Sequence, residues 1–317
     1  MIARPLAAFS QQERTRRIGV LMAHSETDPE FQKYLSSFRE GLRRFGWIEG
    51  QNVQIDARWG ALDDAEIRQR SAGELIASRP DVILSQNTPP TASLLQQTRT
   101  VPIVFVIVAD PIGSGFVANL AHPGGNATGF TIVEPKVTSK WLELLKRVAP
   151  RTERAAILFN PATTPYAKIY LDPFHVAAKS FGMATRDAMV HDVSDLESTF
   201  AAEAQKSNSS LVVMPDGFLN VQREDVVALA TRFRLPTIYP WKFFAEIGGL
   251  MSYGNDQNDS FRHAATYVDR ILRGDKPGDL PVQAPVTFEL VINMRTAKAL
   301  GLDVPLPLQQ FADELIE

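Results

Sequence analysis

The same order of strands and helices occurs twice along this chain, and the repetition limits the folds it can adopt. In the first half, apolar or alternating segments predict strands at residues 17–23, 52–58, 81–85 and 102–109, separated by helices at 29–45, 63–78 and 91–98. The second half predicts strands at residues 154–160, 184–190, 211–215 and 236–239, with helices ending near 182 and spanning 195–207 and 223–233. The first helix of each half ends in Phe-Gly, at Phe45-Gly46 and Phe181-Gly182. Strands separated by helices predict parallel sheets covered on both faces.

The segments after residue 240 predict how the two halves are joined. A strand at 250–254, a helix at 257–273, a strand at 286–292 and a short helix at 294–300 fit a chain that returns to the first half and then crosses again. Three crossings, near residues 127–134, 250–256 and 282–289, would form a hinge. The predicted fold class is α/β, with two similar doubly wound parallel-sheet lobes joined by a three-crossing hinge. A single large doubly wound sheet is the alternative.

These crossings predict the division of the chain. We expect a tail over residues 1–16, a first lobe from residues 17–128 and 254–284, and a second lobe from residues 129–253 and 285–317. The length of 317 residues suits two domains. The stretch from Pro5 to Gln12 resembles the end of an export signal whose hydrophobic part is missing, and a disordered tail explains it equally well.

The composition limits which partners the chain can bind and which reactive groups it can use. The net charge of −3 gives no general attraction to nucleic acid, so no nucleic-acid partner is expected. The chain has no cysteine, which excludes disulfides, thiolate metal sites and cysteine nucleophiles. Its five histidines show no metal-binding spacing, and no apolar run reaches the length of a membrane-spanning helix. We therefore predict neither a metal nor a cofactor.

The loops after the strands are the predicted binding site. In parallel α/β sheets, ligands bind beyond the carboxyl ends of the strands. These loops are rich in hydroxyls, amides and aromatic rings, which suit a small polar or aromatic solute. The candidate ligand-binding residues are Ser25, Gln86, Asn87, Thr88, Asp110, Pro111, Asn160, Thr164, Tyr166, Asp216, Phe218, Trp241 and Tyr253.

Each candidate has a structural alternative. Ser25, Asn87 and Thr88 precede predicted helices and could cap them. Asp216 with Gly217 has the composition of an ordinary turn. The aromatic residues of the set could belong to the core instead.

Several longer strings resemble one family. They are residues 102–131 (PIVFVIVADPIGSGFVANLAHPGGNATGFT), 41–53 (GLRRFGWIEGQNV), 156–165 (AILFNPATTP), 248–259 (GGLMSYGNDQND) and 288–305 (FELVINMRTAKALGLDVP). Together they resemble the ABC-transporter substrate-binding proteins of the type I periplasmic fold, in the group that includes tryptophan-binding members. The resemblance covers residues 16 to 307, essentially the whole chain.

The resemblance implies a function and a location. It implies a periplasmic protein, exported by a signal peptide that is truncated here, that closes on a small molecule and delivers it to an ABC permease. No cysteine is available for a lipid anchor, so a free periplasmic protein is implied. We also expect a monomer. Ligand contacts carry over to Ser25, Asn87, Thr88, Asp110, Asn160, Asp216 and Tyr253. We expect a small carboxylate, amino-acid-like or aromatic ligand, with Lys168 as the nearest candidate cation.

Other functions are less well supported. Gly113, Gly115 and Ala118 satisfy the spacing of a dinucleotide-binding motif, but they follow the fourth strand, whereas that motif belongs after the first. A sugar-repressor-like regulator needs a DNA-binding module, and only 16 residues precede the first predicted strand. A ligand-sensing partner for a signalling receptor remains an alternative. We therefore do not expect an enzyme.

Overall fold

The computed structural model describes residues 14–60, 62, 64–132 and 134–317, and it contains two sheets. The first sheet has five parallel strands in the order β2-β1-β3-β4-β5. Its strands are β1 (Arg16–Met22), β2 (Val53–Trp59), β3 (Val82–Gln86), β4 (Ile103–Val108) and β5 (Ala127–Thr131). Strands β3, β4 and β5 are buried along their whole length, as expected of a sheet covered on both faces.

Four helices cover this sheet and, with it, form what we call the first lobe. They are α1 (Pro29–Arg44), α2 (Ala65–Ala77), α3 (Thr88–Gln97) and α10 (Gln257–Leu272). Helix α1 buries an apolar stripe that includes Phe31, Phe38 and Leu42, and its amino terminus is capped by the carboxylate of Asp28. Helix α10 packs against α1 and against β3, β4 and β5, so the chain returns to the first lobe after leaving it.

The second sheet has seven strands in the order β12-β11-β10-β9-β8-β6-β7. They are β6 (Arg154–Phe159), β7 (Ala184–Met189), β8 (Ser209–Val213), β9 (Thr237–Tyr239), β10 (Met251–Gly254), β11 (Glu289–Asn293) and β12 (Glu314–Ile316). The paired strands are parallel except for β10 and β11, which run antiparallel. The predicted two-lobed α/β architecture is confirmed, and the alternative of one continuous sheet is wrong.

Eight helices accompany the second sheet and complete the second lobe. They are α4 (Val137–Val148), α5 (Ala167–Ser180), α6 (Val193–Ala204), α7 (Gly217–Val221), α8 (Arg223–Arg232), α9 (Lys242–Glu246), α11 (Met294–Leu300) and α12 (Leu306–Phe311). Sequence reasoning missed α4, α7, α9 and α12. Of these, α7 and α9 have five residues each, too few for a helical period to be visible.

The chain passes between the lobes at residues 132–136, 255–256 and 284–288. The first crossing starts later than predicted, because β5 continues to Thr131 in the first sheet. Gly129 permits this pairing, since a Cβ there would lie 1.9 Å from the carbonyl oxygen of Phe105. The predicted lobe boundary between residues 128 and 129 therefore falls inside a strand of the first sheet. The other predicted lobe limits stay predictions.

The predicted strand at 286–292 also starts later, at Glu289. Val286 is 91% exposed and precedes the sheet, so the alternation of apolar residues there does not reflect burial. At the other end of the chain, residues 1–13 of the predicted tail lie outside the described residues, and Arg16 already belongs to β1. Among the described residues, no helix is both long enough and apolar enough to cross a membrane.

Candidate ligand-binding cleft

The carboxyl ends of strands from both sheets face one another across a narrow space that we call the cleft cavity. The first lobe contributes residues at the ends of β1, β3 and β4 and on α1, and the second contributes residues that follow β6, β8 and β9. The lining residues are His24, Phe31, Tyr34, Gln86, Asn87, Ile107, Ile132, Tyr166, Pro215, Asp216, Gly217, Asn220, Trp241 and Gln257. The cavity volume is about 10 Å³, roughly the room that one water molecule needs, so the walls are drawn together and must move apart to admit a larger solute.

The backbone of the first-lobe wall is strained at two places. Asn87 has φ 73° and ψ 160°, a conformation that almost only glycine adopts. Ile107 has φ 60°, which is rare for a β-branched residue, and it lies where the register of β4 against β5 shifts. Strained residues of this kind persist where surrounding structure fixes them, and they concentrate at functional sites.

His24 presents a buried imidazole to the cavity. Its ring is 2% exposed and stacks on Phe31, with 3.7 Å between ring centroids and 16° between planes. Neither ring nitrogen has a hydrogen-bond partner among the described residues. Burial lowers the pKa of His24 to about 3, and the nearby Asp28 only partly opposes this shift. The imidazole is therefore neutral at pH 7, with one donor and one acceptor left for a ligand.

The second-lobe wall is organised around the carboxylate of Asp216. This carboxylate accepts hydrogen bonds from the backbone N–H of Asn160 at 2.5 Å, the hydroxyl of Thr163 at 2.5 Å and the backbone N–H of Phe218 at 2.8 Å. The last bond caps α7. Burial raises the pKa of Asp216 to about 6, and the hydrogen bonds limit the rise. The carboxylate thus joins the loops after β6 and β8 into one unit.

Two aromatic residues complete this wall. The Tyr166 hydroxyl donates to the carbonyl oxygen of Pro215 at 2.9 Å, which holds the ring against the cavity. Trp241 is buried at the start of α9 and lines the same space. Rings on both walls, including Phe31 and Tyr34 of the first lobe, give the cavity flat apolar surfaces suited to an aromatic group.

Buried amide oxygens at the cavity also lack partners. Asn220 Oδ1 on α7 and Gln257 Oε1 at the start of α10 have no hydrogen-bond partner among the described residues. Buried polar atoms are normally paired, because an unpaired one costs about 1–3 kcal/mol. Together with the two nitrogens of His24, these atoms form a set of unmet hydrogen-bonding groups in one small space.

The two lobes touch beside the cavity. Arg223 of α8 forms a two-pronged ion pair with Asp28, with Nη1 to Oδ2 at 2.7 Å and Nη2 to Oδ1 at 3.0 Å. Gly217 lies so close to the first lobe that a Cβ would come 1.9 Å from Leu62 Cδ2 and 3.5 Å from His24 Cε1. The structure therefore has the lobes closed on each other.

Five of the thirteen predicted site residues line the cavity: Gln86, Asn87, Tyr166, Asp216 and Trp241. Four others lie just behind its walls. Thr88 is buried next to Asn87, with its hydroxyl 3.4 Å from the N–H of Ala109. Asn160, Thr164 and Phe218 are buried around Asp216, and Thr164 donates to the carbonyl oxygen of Asn160.

The structure places the remaining four predicted residues outside the lining set. The Ser25 hydroxyl is exposed and bonds that of Thr27 at 2.9 Å. Asp110 accepts from the N–H of Gly113 within its own loop, where Pro111 is also buried. Tyr253 stacks on Phe288, with ring centroids 5.8 Å apart. The predicted cation, Lys168, is 82% exposed on its side chain and pairs with Asp172.

The candidate residues predicted from the sequence do not include His24, Asn220 or Gln257, although His24 belongs to one of the strand-end loops. His24 directly follows the first strand and so carried a usable signal, because it stands at a strand end. Asn220 lies on α7, a helix too short to be recognised, and Gln257 belongs to the first turn of a long helix. Among the described residues, no group of histidine and carboxylate side chains could hold a metal ion.

Comparison with known proteins identifies the family. The model of the family described as ABC transporter substrate binding protein matches residues 18–316. The chain belongs to this family.

Individual relatives agree with this assignment. The substrate-binding protein described here is 26% identical over 293 residues to a tyrosine-binding protein of Clostridioides difficile strain R20291, covering 92% of this chain and 82% of the relative. It resembles a conserved domain protein of Vibrio cholerae with a TM-score of 0.88 and 27% identity, covering 95% of this chain and all of the other. It also resembles an ABC domain from Streptococcus pneumonia in complex with L-Trp, with a TM-score of 0.88, 25% identity and the same coverage.

Proposed function

We propose that this substrate-binding protein captures an aromatic, amino-acid-like molecule in the cleft cavity and delivers it to an ABC importer. The observation that carries the proposal is the set of unpaired buried polar atoms of His24, Asn220 and Gln257, gathered in one cavity with aromatic rings. A ligand that pairs these atoms would offset their desolvation cost.

The types of unpaired atom indicate the ligand's polar group. Asn220 Oδ1 and Gln257 Oε1 are acceptors, and a neutral imidazole supplies one further acceptor nitrogen. An α-ammonium group carries three N–H donors and matches such a set. The rings of Phe31, Tyr34, Tyr166 and Trp241 suit an aromatic side chain.

The charges of the cavity support a zwitterion over an organic anion. Lysine and arginine are absent from its described lining, and its only carboxylate, that of Asp216, already accepts three hydrogen bonds. A carboxylate without an accompanying ammonium would enter a space with no compensating cation. This sharpens the sequence-based expectation of a small carboxylate. The relatives described as tyrosine-binding and as complexed with L-Trp support the same class.

The proposal includes a location and a partner. The family model implies an extracytoplasmic protein that hands its ligand to a permease in the membrane, and we propose the periplasm. We propose that the protein acts as a monomer, without nucleic acid, cofactor or metal, and that it binds its ligand without altering it.

Titration calorimetry tests the ligand class. We expect L-tyrosine, L-tryptophan or L-phenylalanine to bind, and 3-(4-hydroxyphenyl)propionate and indole-3-propionate, which lack the amino group, to bind at least about tenfold more weakly. Gln257→Leu should weaken binding of the amino acid more than that of its des-amino analogue. Binding confined to sugars, or equal affinity for both compounds of a pair, would overturn the proposed ligand class.

A further inference from the structure

We infer that Arg223 is a positioning residue that locks the lobes together by pairing with Asp28 and thereby sets how slowly the ligand leaves. This inference rests on the proposed function, because it assigns a role in retaining the ligand of the cleft cavity. Neither residue lines that cavity.

The geometry of the pair is suited to locking. Arg223 lies on α8 of the second lobe and Asp28 precedes α1 of the first, 195 residues earlier in the chain. Nη1 of Arg223 donates to one carboxylate oxygen of Asp28 and Nη2 donates to the other, and the side chains are only 14% and 16% exposed. Two parallel bonds of this kind fix orientation as well as distance, and burial protects them from screening. Because each lobe supplies one partner, the pair forms only when the lobes are closed.

Among the described residues, no other ion pair joins one lobe directly to the other. Arg262 pairs with Asp256 of the second crossing, and the remaining pairs each join two groups of the same lobe. The other direct contact beside the cavity, between Gly217 and Leu62, is apolar and carries no directional bond. Among the described residues outside the crossings, the direct hydrogen bonds between the lobes are therefore those of Arg223 with Asp28.

The pair is also connected to the cavity. Arg223 Nη1 donates to the carbonyl oxygen of Asn220 at 3.0 Å, and the side chain of Asn220 holds one of the unpaired acceptors. On the other side, Asp28 Oδ1 accepts from the N–H of Glu30 at the start of α1, one residue before Phe31, which stacks on His24. A ligand that fixes Asn220 and His24 thus fixes the two elements that carry the pair.

The chain offers matched variants. Asp28→Asn keeps an oxygen that can cap α1, since asparagine caps as well as aspartate, and it removes the charge. Arg223→Lys keeps the charge and loses the planar fork, and Arg223→Gln removes both. Arg232→Gln is the control, because Arg232 ends the same helix and pairs with Glu197 of the same lobe at 2.8 Å, with side chains 62% and 59% exposed.

Stopped-flow binding of L-tyrosine or L-tryptophan, whichever the full-length wild type binds, measures the effect. We expect Arg223→Gln and Asp28→Asn each to raise the dissociation rate at least about tenfold and to change the association rate little. The double variant should release ligand no faster than the faster single variant, because both remove the same bond. Arg223→Lys should lie between wild type and Arg223→Gln, and Arg232→Gln should match wild type.

Two results would overturn the role of Arg223. One is a dissociation rate within twofold of wild type in both single variants, and the other is additive effects in the double variant. If Arg223→Gln does not fold, Arg223→Lys and Asp28→Asn still decide the question. Absence of aromatic amino-acid binding by the wild type would instead contradict the proposed function, so the two failures are distinguishable.

Discussion

The two walls of the cleft differ in how completely their polar groups are satisfied. In the second lobe, the buried carboxylate of Asp216 is surrounded by donors from Asn160, Thr163 and Phe218, and the Tyr166 hydroxyl is paired as well. In the first lobe, His24 is buried without a partner and Asn87 and Ile107 are held at positive φ. Among the described lining atoms, the second-lobe wall leaves one acceptor unpaired, Asn220 Oδ1, whereas the first-lobe wall has backbone strain and leaves both nitrogens of His24 and Gln257 Oε1 unpaired.

This difference indicates that the two walls contribute differently to ligand binding. The second-lobe wall is held by the hydrogen bonds around Asp216 and leaves only Asn220 Oδ1 unpaired among its described lining atoms, so it depends less on a ligand for its shape. The first-lobe wall gains from a ligand, because the ligand pairs groups that the protein leaves unpaired. Closure should therefore depend on what the first lobe gains, in line with the rule that a ligand shifts a conformational equilibrium only through its differential affinity for the two states.

The largest effect is expected from removing the Asp216 carboxylate, which organises the second-lobe wall. Asp216→Ala leaves several buried donors unpaired, so we expect the free energy of unfolding to fall by about 3–5 kcal/mol, measured by urea denaturation. The control is Asp64→Ala, which removes only a helix cap formed with Ile67 N–H, and should cost about 1 kcal/mol. Equal losses in the two variants would show that the second-lobe wall is not organised by this carboxylate.

The pH dependence of stability tests the other wall. The pKa of His24 in the folded protein, about 3, is below the ordinary histidine value of 6.5, so its contribution to stability is present above pH 6.5 and is lost as pH falls toward 3. We expect the stability of wild type relative to His24→Phe to fall as pH drops below 6.5, with a slope that approaches about 1.4 kcal/mol per pH unit well inside that window, measured by denaturation at pH 7, 6 and 5.

Asp216 acts with the opposite sign. Its pKa rises from 3.8 to about 6, so its contribution is complete below pH 3.8 and is lost as pH rises through 6. Wild type and His24→Phe both contain Asp216, so its contribution cancels when the stability of one protein is subtracted from that of the other. Parallel stability curves for the two proteins from pH 7 to 5 would contradict a buried neutral His24.

A side chain introduced at Gly217 should clash with the first lobe and keep the two walls apart. Gly217→Val would collide with Leu62 in the closed state, at a strain of about 1–3 kcal/mol, which corresponds to roughly tenfold to hundredfold weaker binding. Calorimetry of ligand binding measures this loss, and the melting temperature of the free protein should change little. Gly125→Val is the control, since a Cβ at Gly125 meets nothing within 4 Å. Unchanged affinity in Gly217→Val would mean that closure does not bring these residues together.

The smallest effect is expected from releasing backbone strain. Asn87→Gly should raise the free energy of unfolding by about 1 kcal/mol, because glycine adopts the observed φ and ψ without cost. The same variant removes an amide from the cavity wall and should weaken ligand binding. Asn208→Gly is the control, because Asn208 has φ 59° away from the cleft, in a region that asparagine tolerates. A stability gain no larger than that of Asn208→Gly would argue against strain at Asn87.

Much of the fold could be predicted because its signals are local. The apolar runs of β1, β4 and β6 and the capped, amphipathic α1 were placed within one or two residues. Strand β11 was started too early, because Val286 fits the alternation of the strand but faces solvent. Helix α4 was missed although it carries a clear apolar face with Trp141 and Leu145.

The site was less predictable because its properties arise between the lobes. Strand-end position predicted Asn87, Asp216 and Trp241 as site residues, and all three line the cleft cavity. It could not show that the Asp110 carboxylate accepts a hydrogen bond from Gly113 of its own loop, since that bond depends on a turn that brings the Gly113 N–H back to the carboxylate. Nor could it show that Asn220 lacks a partner, because burial there depends on how the two lobes meet.

Small-angle X-ray scattering of the wild-type protein tests most directly whether a ligand closes the two lobes. We predict a smaller radius of gyration with saturating L-tyrosine or L-tryptophan than without, and a profile for Gly217→Val that stays expanded under both conditions. Identical wild-type profiles with and without a ligand that calorimetry shows to be bound would contradict closure around the cavity.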